Sequence, residues 1–283
     1  MRPVPSQNII ARNNVKVFGR GAQPMLFAHG FGCDQNMWRF VTHAFEDDYR
    51  IVLFDYVGSG KSDLEAYSPE RYGSLEGYTD DVLDVCAALD LKDVIFVGHS
   101  VSGVVGMLAS IREPERFAHL ILVAPSPCYI NDPPNYVGGF ERADITGLLD
   151  LMEKNYIGWA NFLAPVVMKN AERPELTREL KESFCSTDPK IARRFAEATF
   201  FSDNRGDLPN VKIPSLIMQC SEDAIAPPEV GDYLQRNLAG STMRVMKATG
   251  HCPQMSHPEE TVQLIKEYLT AAAQPVASDN SLS

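Results

Sequence analysis

The chain has 283 residues, 45% of them hydrophobic and 22% charged, which suits one large α/β core or at most two small domains. A net charge of −11 argues against a nucleic-acid surface, and the longest apolar runs are strand-sized, too short for a membrane span. Six cysteines without a C-x-x-C pair argue against a zinc ribbon and a disulfide framework. With no signal-peptide apolar region after Met1, the expected location is cytoplasmic, with no metal and no cofactor.

Residues 1–10 read as a mobile start. Residues 15–18 read as an edge strand and residues 25–28 as a buried one that ends in His29-Gly30-Phe31-Gly32. The run Ile51-Val52-Leu53-Phe54 is a third strand, closed by Asp55 and the turn Gly58-Ser59-Gly60-Lys61-Ser62. That turn lacks the leading glycine of a phosphate-binding loop, so no nucleotide site is expected there. Residues 78–89 place Val82, Val85, Cys86 and Leu89 at helical spacing, one face toward a sheet.

The next segment carries the chemistry. Val94-Ile95-Phe96-Val97 reads as a strand buried on both faces, and from Val104 the apolar residues take helical spacing. Between them, Gly98-His99-Ser100-Val101-Ser102 fits the G-x-S-x-G nucleophile elbow, with Ser102 in place of the last glycine. Such a turn exposes the serine Oγ, and the helix behind it directs N–H groups at developing negative charge.

After the strand Leu120-Ile121-Leu122-Val123, residues 126–205 hold helical segments and no good strand. Strands resume at Ser215-Leu216-Ile217-Met218 and Met243-Arg244-Val245-Met246, and an amphipathic helix with Val262, Ile265 and Leu269 follows. The pattern predicts a mostly parallel sheet flanked by helices. It divides into a discontinuous core, 11–125 and 206–270, a helical cap at 126–205 placed between the sixth and seventh strands, and a flexible tail at 271–283.

Ser100 needs a base, and the base an orienting acid. The chain order Ser, Asp, His is the one expected of this elbow. His251, in the turn-rich stretch Thr249-Gly250-His251-Cys252-Pro253 after the last strand, is the expected base. Asp223, in Ser221-Glu222-Asp223-Ala224, is the expected orienter, with Glu222 its rival. The Val101 and Phe31 N–H groups form the expected oxyanion hole, and His29 reads as a hydrogen-bonding strut. Phe31, Trp159 and Phe200 are the expected walls of an apolar substrate pocket.

These features together resemble the α/β-hydrolase superfamily over nearly the whole chain. Longer stretches, among them Phe31-Gly32-Cys33-Asp34-Gln35, Pro125-Ser126-Pro127-Cys128-Tyr129 and Phe200-Phe201-Ser202-Asp203, resemble the stress-response regulator RsbQ and the plant karrikin and strigolactone receptors. The resemblance implies a four-helix, V-shaped cap over a small closed apolar pocket. It also implies a signalling role, in the RsbQ case with a partner phosphatase carrying a ligand-sensing domain. Two functions are therefore expected, sharing one site: hydrolysis of a small apolar ester or lactone, and a single-turnover receptor whose cap signals to a partner.

Overall fold

Runs of β-branched and aromatic residues build the centre of a seven-stranded sheet in the computed structural model, which describes residues 6–274. The strands are β1 (Lys16–Phe18), β2 (Pro24–Ala28), β3 (Arg50–Leu53), β4 (Val94–His99), β5 (Phe117–Val123), β6 (Ser215–Glu222) and β7 (Ser241–Thr249). Their order is β1-β3-β2-β4-β5-β6-β7, with β1 antiparallel to β3 and every other pair parallel. Alternation along β2 sends Met25 and Phe27 into one apolar cluster and Leu26 and Ala28 into another. The central strands are thus buried on both sides, as a parallel sheet requires.

The helices are α1 (Ser6–Arg12), α2 (Arg39–Thr42), α3 (Leu75–Ala88), α4 (Val101–Arg112), α5 (Arg142–Lys154), α6 (Tyr156–Met168), α7 (Pro174–Ser186), α8 (Pro189–Phe200), α9 (Pro228–Asn237), α10 (Pro253–Ser256) and α11 (Pro258–Ala273). Val82 and Val85 of α3, Val104 and Val105 of α4, and Val230 and Leu234 of α9 share one cluster with Leu26. Val41 of α2 and Ile265 of α11 cover the opposite face. None of the described helices is long and apolar enough to cross a membrane, and all six cysteines are unpaired.

Between β5 and β6 the chain passes through α5 to α8, in which α5 packs on α6 and α8, and α6 on α7. Spacing by four buries Leu176, Leu180 and Phe184 of α7, and the Asp188 carboxylate caps α8 by accepting from the Lys190 and Ile191 N–H groups. The helical insertion falls between the fifth and sixth strands rather than the sixth and seventh. Among the described residues only the five strands β1 to β5 precede it, and the chain before Lys16 forms the helix α1. That helix also corrects the expectation of a mobile start at residues 6–10, since buried Ile9 holds it to the core. At the other end α11 runs on to Ala273, into the expected tail; residues 1–5 and 275–283 lie outside the described residues.

Strand order explains where a site can form. From β2 the chain goes out to β3 and returns to β4 on the other side of β2, so the carboxyl ends of β2 and β4 flank a topological switch point. His29-Gly30-Phe31 leaves β2 there, and Ser100 leaves β4.

Candidate active site

Ser100 sits between β4 and α4 with φ 57° and ψ −125°, a left-handed region that costs a non-glycine residue about 1–3 kcal/mol. Its N–H is held by the Val123 carbonyl at 2.8 Å, which fixes the turn and presents Oγ upward. His251 Nε2 accepts from Ser100 Oγ at 2.7 Å, and His251 Nδ1 donates to Asp223 Oδ2 at 2.7 Å. All three side chains are buried. The other oxygen of Asp223, Oδ1, accepts from the Ile225 and Ala226 N–H groups at 2.8 and 3.1 Å. These bonds leave Oδ2 no direction but the imidazole.

Glu222 turns the other way. A register shift between β6 and β7 at Cys220 and Glu222 swings the chain, and the Glu222 side chain emerges exposed, paired with Lys169. His251 is anchored from the helical insertion: its N–H donates to the Val167 carbonyl of α6 at 2.8 Å. Gly250, at φ 80°, makes room for that approach, since a Cβ there would lie 2.3 Å from the Met168 carbonyl oxygen.

His99 fixes the site from beneath. Its Nε2 donates to the His251 carbonyl at 2.7 Å, leaving Nδ1 unprotonated against Gly30, where a Cβ would stand 2.4 Å away. Burial lowers its pKa to about 3, so the ring stays neutral at physiological pH. The His29 ring has the opposite tautomer. It accepts at Nε2 from the Tyr56 N–H, at 3.2 Å, so Nδ1 carries the proton given to the Gly30 carbonyl. His29 is a strut, as its position before the glycines suggests.

Ser102, the departure from the elbow template, ties this loop down. Its Oγ donates to the His29 carbonyl at 2.5 Å and therefore accepts from Tyr56 Oη, 2.9 Å away. Ser102→Ala strands both of those buried groups, and urea unfolding should show a loss of about 1–3 kcal/mol. A loss below ~0.5 kcal/mol would mean that the loop keeps its place without this tether.

The Val101 N–H opens α4 and has no intrahelical acceptor. The Phe31 N–H donates to no backbone acceptor among the described residues. Above them lies a narrow, mainly apolar chamber. Phe31, Leu163, Leu180, Phe184, Phe200 and Ile225 form its apolar walls, and Ser100 and His251 its floor. Cys33 and Cys252 also line it. Burial pushes the Cys33 thiol up to about 12 and raises Cys252 as well, so both behave as small apolar groups rather than nucleophiles.

Trp159 is not part of that wall. It shares a stripe of α6 with Leu163 and Val167, which do line the chamber, but stands one turn before Leu163. There it packs behind Phe184 and Phe31, with ring centroids 5.1 and 6.1 Å away, and stacks on Tyr156. Tyr129 is an unexpected member of the site: its hydroxyl lies 3.4 Å from Ser100 Oγ and its ring meets Phe200 edge-on at 5.0 Å. Its signal was its place just beyond the carboxyl end of β5, next to the elbow strand.

A mostly parallel sheet with a serine in a forced turn after β4, a carboxylate after β6 and an imidazole after β7 defines the α/β-hydrolase class. The chain belongs to the alpha/beta hydrolase family, whose model matches residues 25–264. It is 37% identical to karrikin insensitive 2 receptor CA of Petunia hybrida, covering 91% of this chain and 95% of that one. It is also 37% identical to strigolactone esterase D14 of Arabidopsis thaliana, covering 93% and 98%. Among solved structures, olei00960, a hydrolase from Oleispira antarctica, matches with a TM-score of 0.92 at 47% identity, covering 94% of this chain and 98% of that one.

Proposed function

We propose that this protein is a serine hydrolase of small esters or lactones, with residues 126–205 acting as a cap over the core 11–125 and 206–270. The observation that carries the proposal is the unbroken line from Asp223 through His251 to Ser100, two contacts of 2.7 Å ending at the floor of an apolar chamber. In this reading Ser100 Oγ attacks the acyl carbon while His251 Nε2 takes its proton. The alkoxide that forms on the carbonyl oxygen is held by the Val101 and Phe31 N–H groups, at the positive end of α4. Collapse expels the alcohol, which receives the proton from His251. A water molecule then repeats the sequence on the acyl-serine, and Asp223 stabilises the imidazolium in both halves.

The narrow chamber supports small acyl groups. The test is labelling with phenylmethanesulfonyl fluoride followed by peptide mapping. One adduct per chain is expected, on Ser100, and none in Ser100→Ala. An adduct on Ser102 or on either chamber cysteine would overturn the assignment.

A second reading has its own support. The His251 main chain is held by the Val167 carbonyl, so a shift of α6 would move the base, and one relative is named a receptor. In that reading slow hydrolysis repositions the cap, which a partner protein then recognises. Continuous turnover of ester separates the first reading from the second, in which product stops at about one per chain.

A further inference from the structure

A threonine inside a helix can return its hydroxyl to the carbonyl four residues earlier. Thr79, Thr146 and Thr261 do so here, donating to the Leu75, Arg142 and His257 carbonyls at 3.0 Å each. Thr199 of α8 does not. Its Oγ1 is buried and has no hydrogen-bond partner among the described residues. Thr199 lines the chamber above Ser100, next to Phe200. A valine would fill the same volume without leaving a buried polar atom unpaired beside the chamber. The second hydroxyl of the chamber wall, Tyr129 Oη, has only the long 3.4 Å contact to Ser100 Oγ and so also keeps hydrogen-bonding capacity.

We propose that Thr199 Oγ1 donates a hydrogen bond to an oxygen substituent on the acyl part of the substrate. The preferred substrates are then hydroxy- or keto-substituted small esters or lactones rather than plain alkyl ones. This inference rests on hydrolysis at Ser100 and adds the chemical class of what is hydrolysed. The bound substituent gives the stranded hydroxyl its partner, whereas an alkyl acyl group leaves it unpaired, and that difference is what discriminates.

The test compares 4-nitrophenyl butyrate with racemic 4-nitrophenyl 3-hydroxybutyrate, esters of equal chain length, on the unaltered chain and on Thr199→Val and Thr199→Ser. The unaltered chain is expected to favour the hydroxy ester in kcat/KM. In Thr199→Val the ratio of the two kcat/KM values should fall by about tenfold or more, and Thr199→Ser should keep it. The serine variant retains the hydroxyl, so it decides the matter even where the valine variant folds poorly. Acylation of Ser100 by both esters with no preference, or a ratio unmoved in Thr199→Val, would overturn this inference alone. Failure of both esters to acylate Ser100 would overturn the hydrolytic reading as well.

Discussion

Replacing Asp223 with Asn is expected to lower kcat for a small ester by about 10⁴, with KM within a few-fold of its starting value. The reason lies in the two backbone donors that hold Asp223 Oδ1, the N–H groups of Ile225 and Ala226. In the asparagine variant those donors keep the side-chain oxygen, and the NH₂ group is left facing His251 Nδ1. A donor there makes Nδ1 the acceptor and puts the ring proton on Nε2. That nitrogen can then no longer receive the Ser100 proton across their 2.7 Å contact. A factor of 10⁴ corresponds to about 5.5 kcal/mol of transition-state stabilisation, which is large for a change that removes no atom of bulk. Glu222→Gln is expected to leave turnover within about twofold, because Glu222 is exposed and paired with Lys169. Steady-state kinetics on the two variants decides between them. A larger loss in Glu222→Gln would mean that the acid comes from the other side of the β6–β7 register shift.

The sheet and the line of three side chains were legible because each depends on local pattern. Unbroken apolar runs mark β4 and β6 as strands buried on both faces, and Ser100 and Asp223 sit just past them, while His251 follows the edge strand β7 and is marked by the glycine turn that closes it. Since the carboxyl ends of parallel strands lie on one edge, the residues that follow them are brought to one place whatever the intervening helices do. The chamber was less legible. Helical spacing identifies the buried stripe of α6, yet Trp159, Leu163 and Val167 occupy that same stripe, and only Leu163 and Val167 reach the cavity. What a buried face abuts is decided by the packing angle of the helices, to which periodicity is blind. Thr199 shows the same limit, because nothing in the sequence distinguishes its hydroxyl from the three that bond within their own helices. The helix α1 was missed for a related reason: seven residues are too few to be helical alone, and tertiary contacts through Ile9 and Arg12 hold it.

Arg12 leads to the largest expected effect on stability. Asp81 lies on the inner side of α3 and is wholly buried, although its sequence context, beside Asp80 and Asp84, is that of a solvated helix face. Its Oδ1 accepts from Arg12 Nη2 at 3.0 Å, Arg71 Nη2 at 3.2 Å and Tyr72 Oη at 2.9 Å. Its Oδ2 accepts from Asn13 Nδ2 at 3.1 Å and the Val57 N–H at 3.0 Å. One carboxylate thus joins α1, the Arg71-Tyr72 turn and the loop after β3 to α3. Asp81→Ala removes the acceptor for five donors at once and leaves the buried Arg12 guanidinium with only the half-exposed Asp84 carboxylate as a charged partner. Breaking a buried ion pair by removing one partner costs about 3–5 kcal/mol, and a loss of that size is expected in urea unfolding of Asp81→Ala. Glu76→Ala supplies the comparison: its pair with Arg112 is exposed, and such pairs contribute about 0–1 kcal/mol. A loss in Asp81→Ala no greater than in Glu76→Ala would show that water replaces the missing carboxylate. The effect should also reach the active site. Val57, which Asp81 holds, follows Tyr56, whose N–H and hydroxyl anchor His29 and Ser102 beneath the Phe31 loop. The folded fraction of Asp81→Ala should therefore acylate more slowly than the unaltered chain, while Asp223→Asn loses turnover with its urea midpoint nearly unchanged.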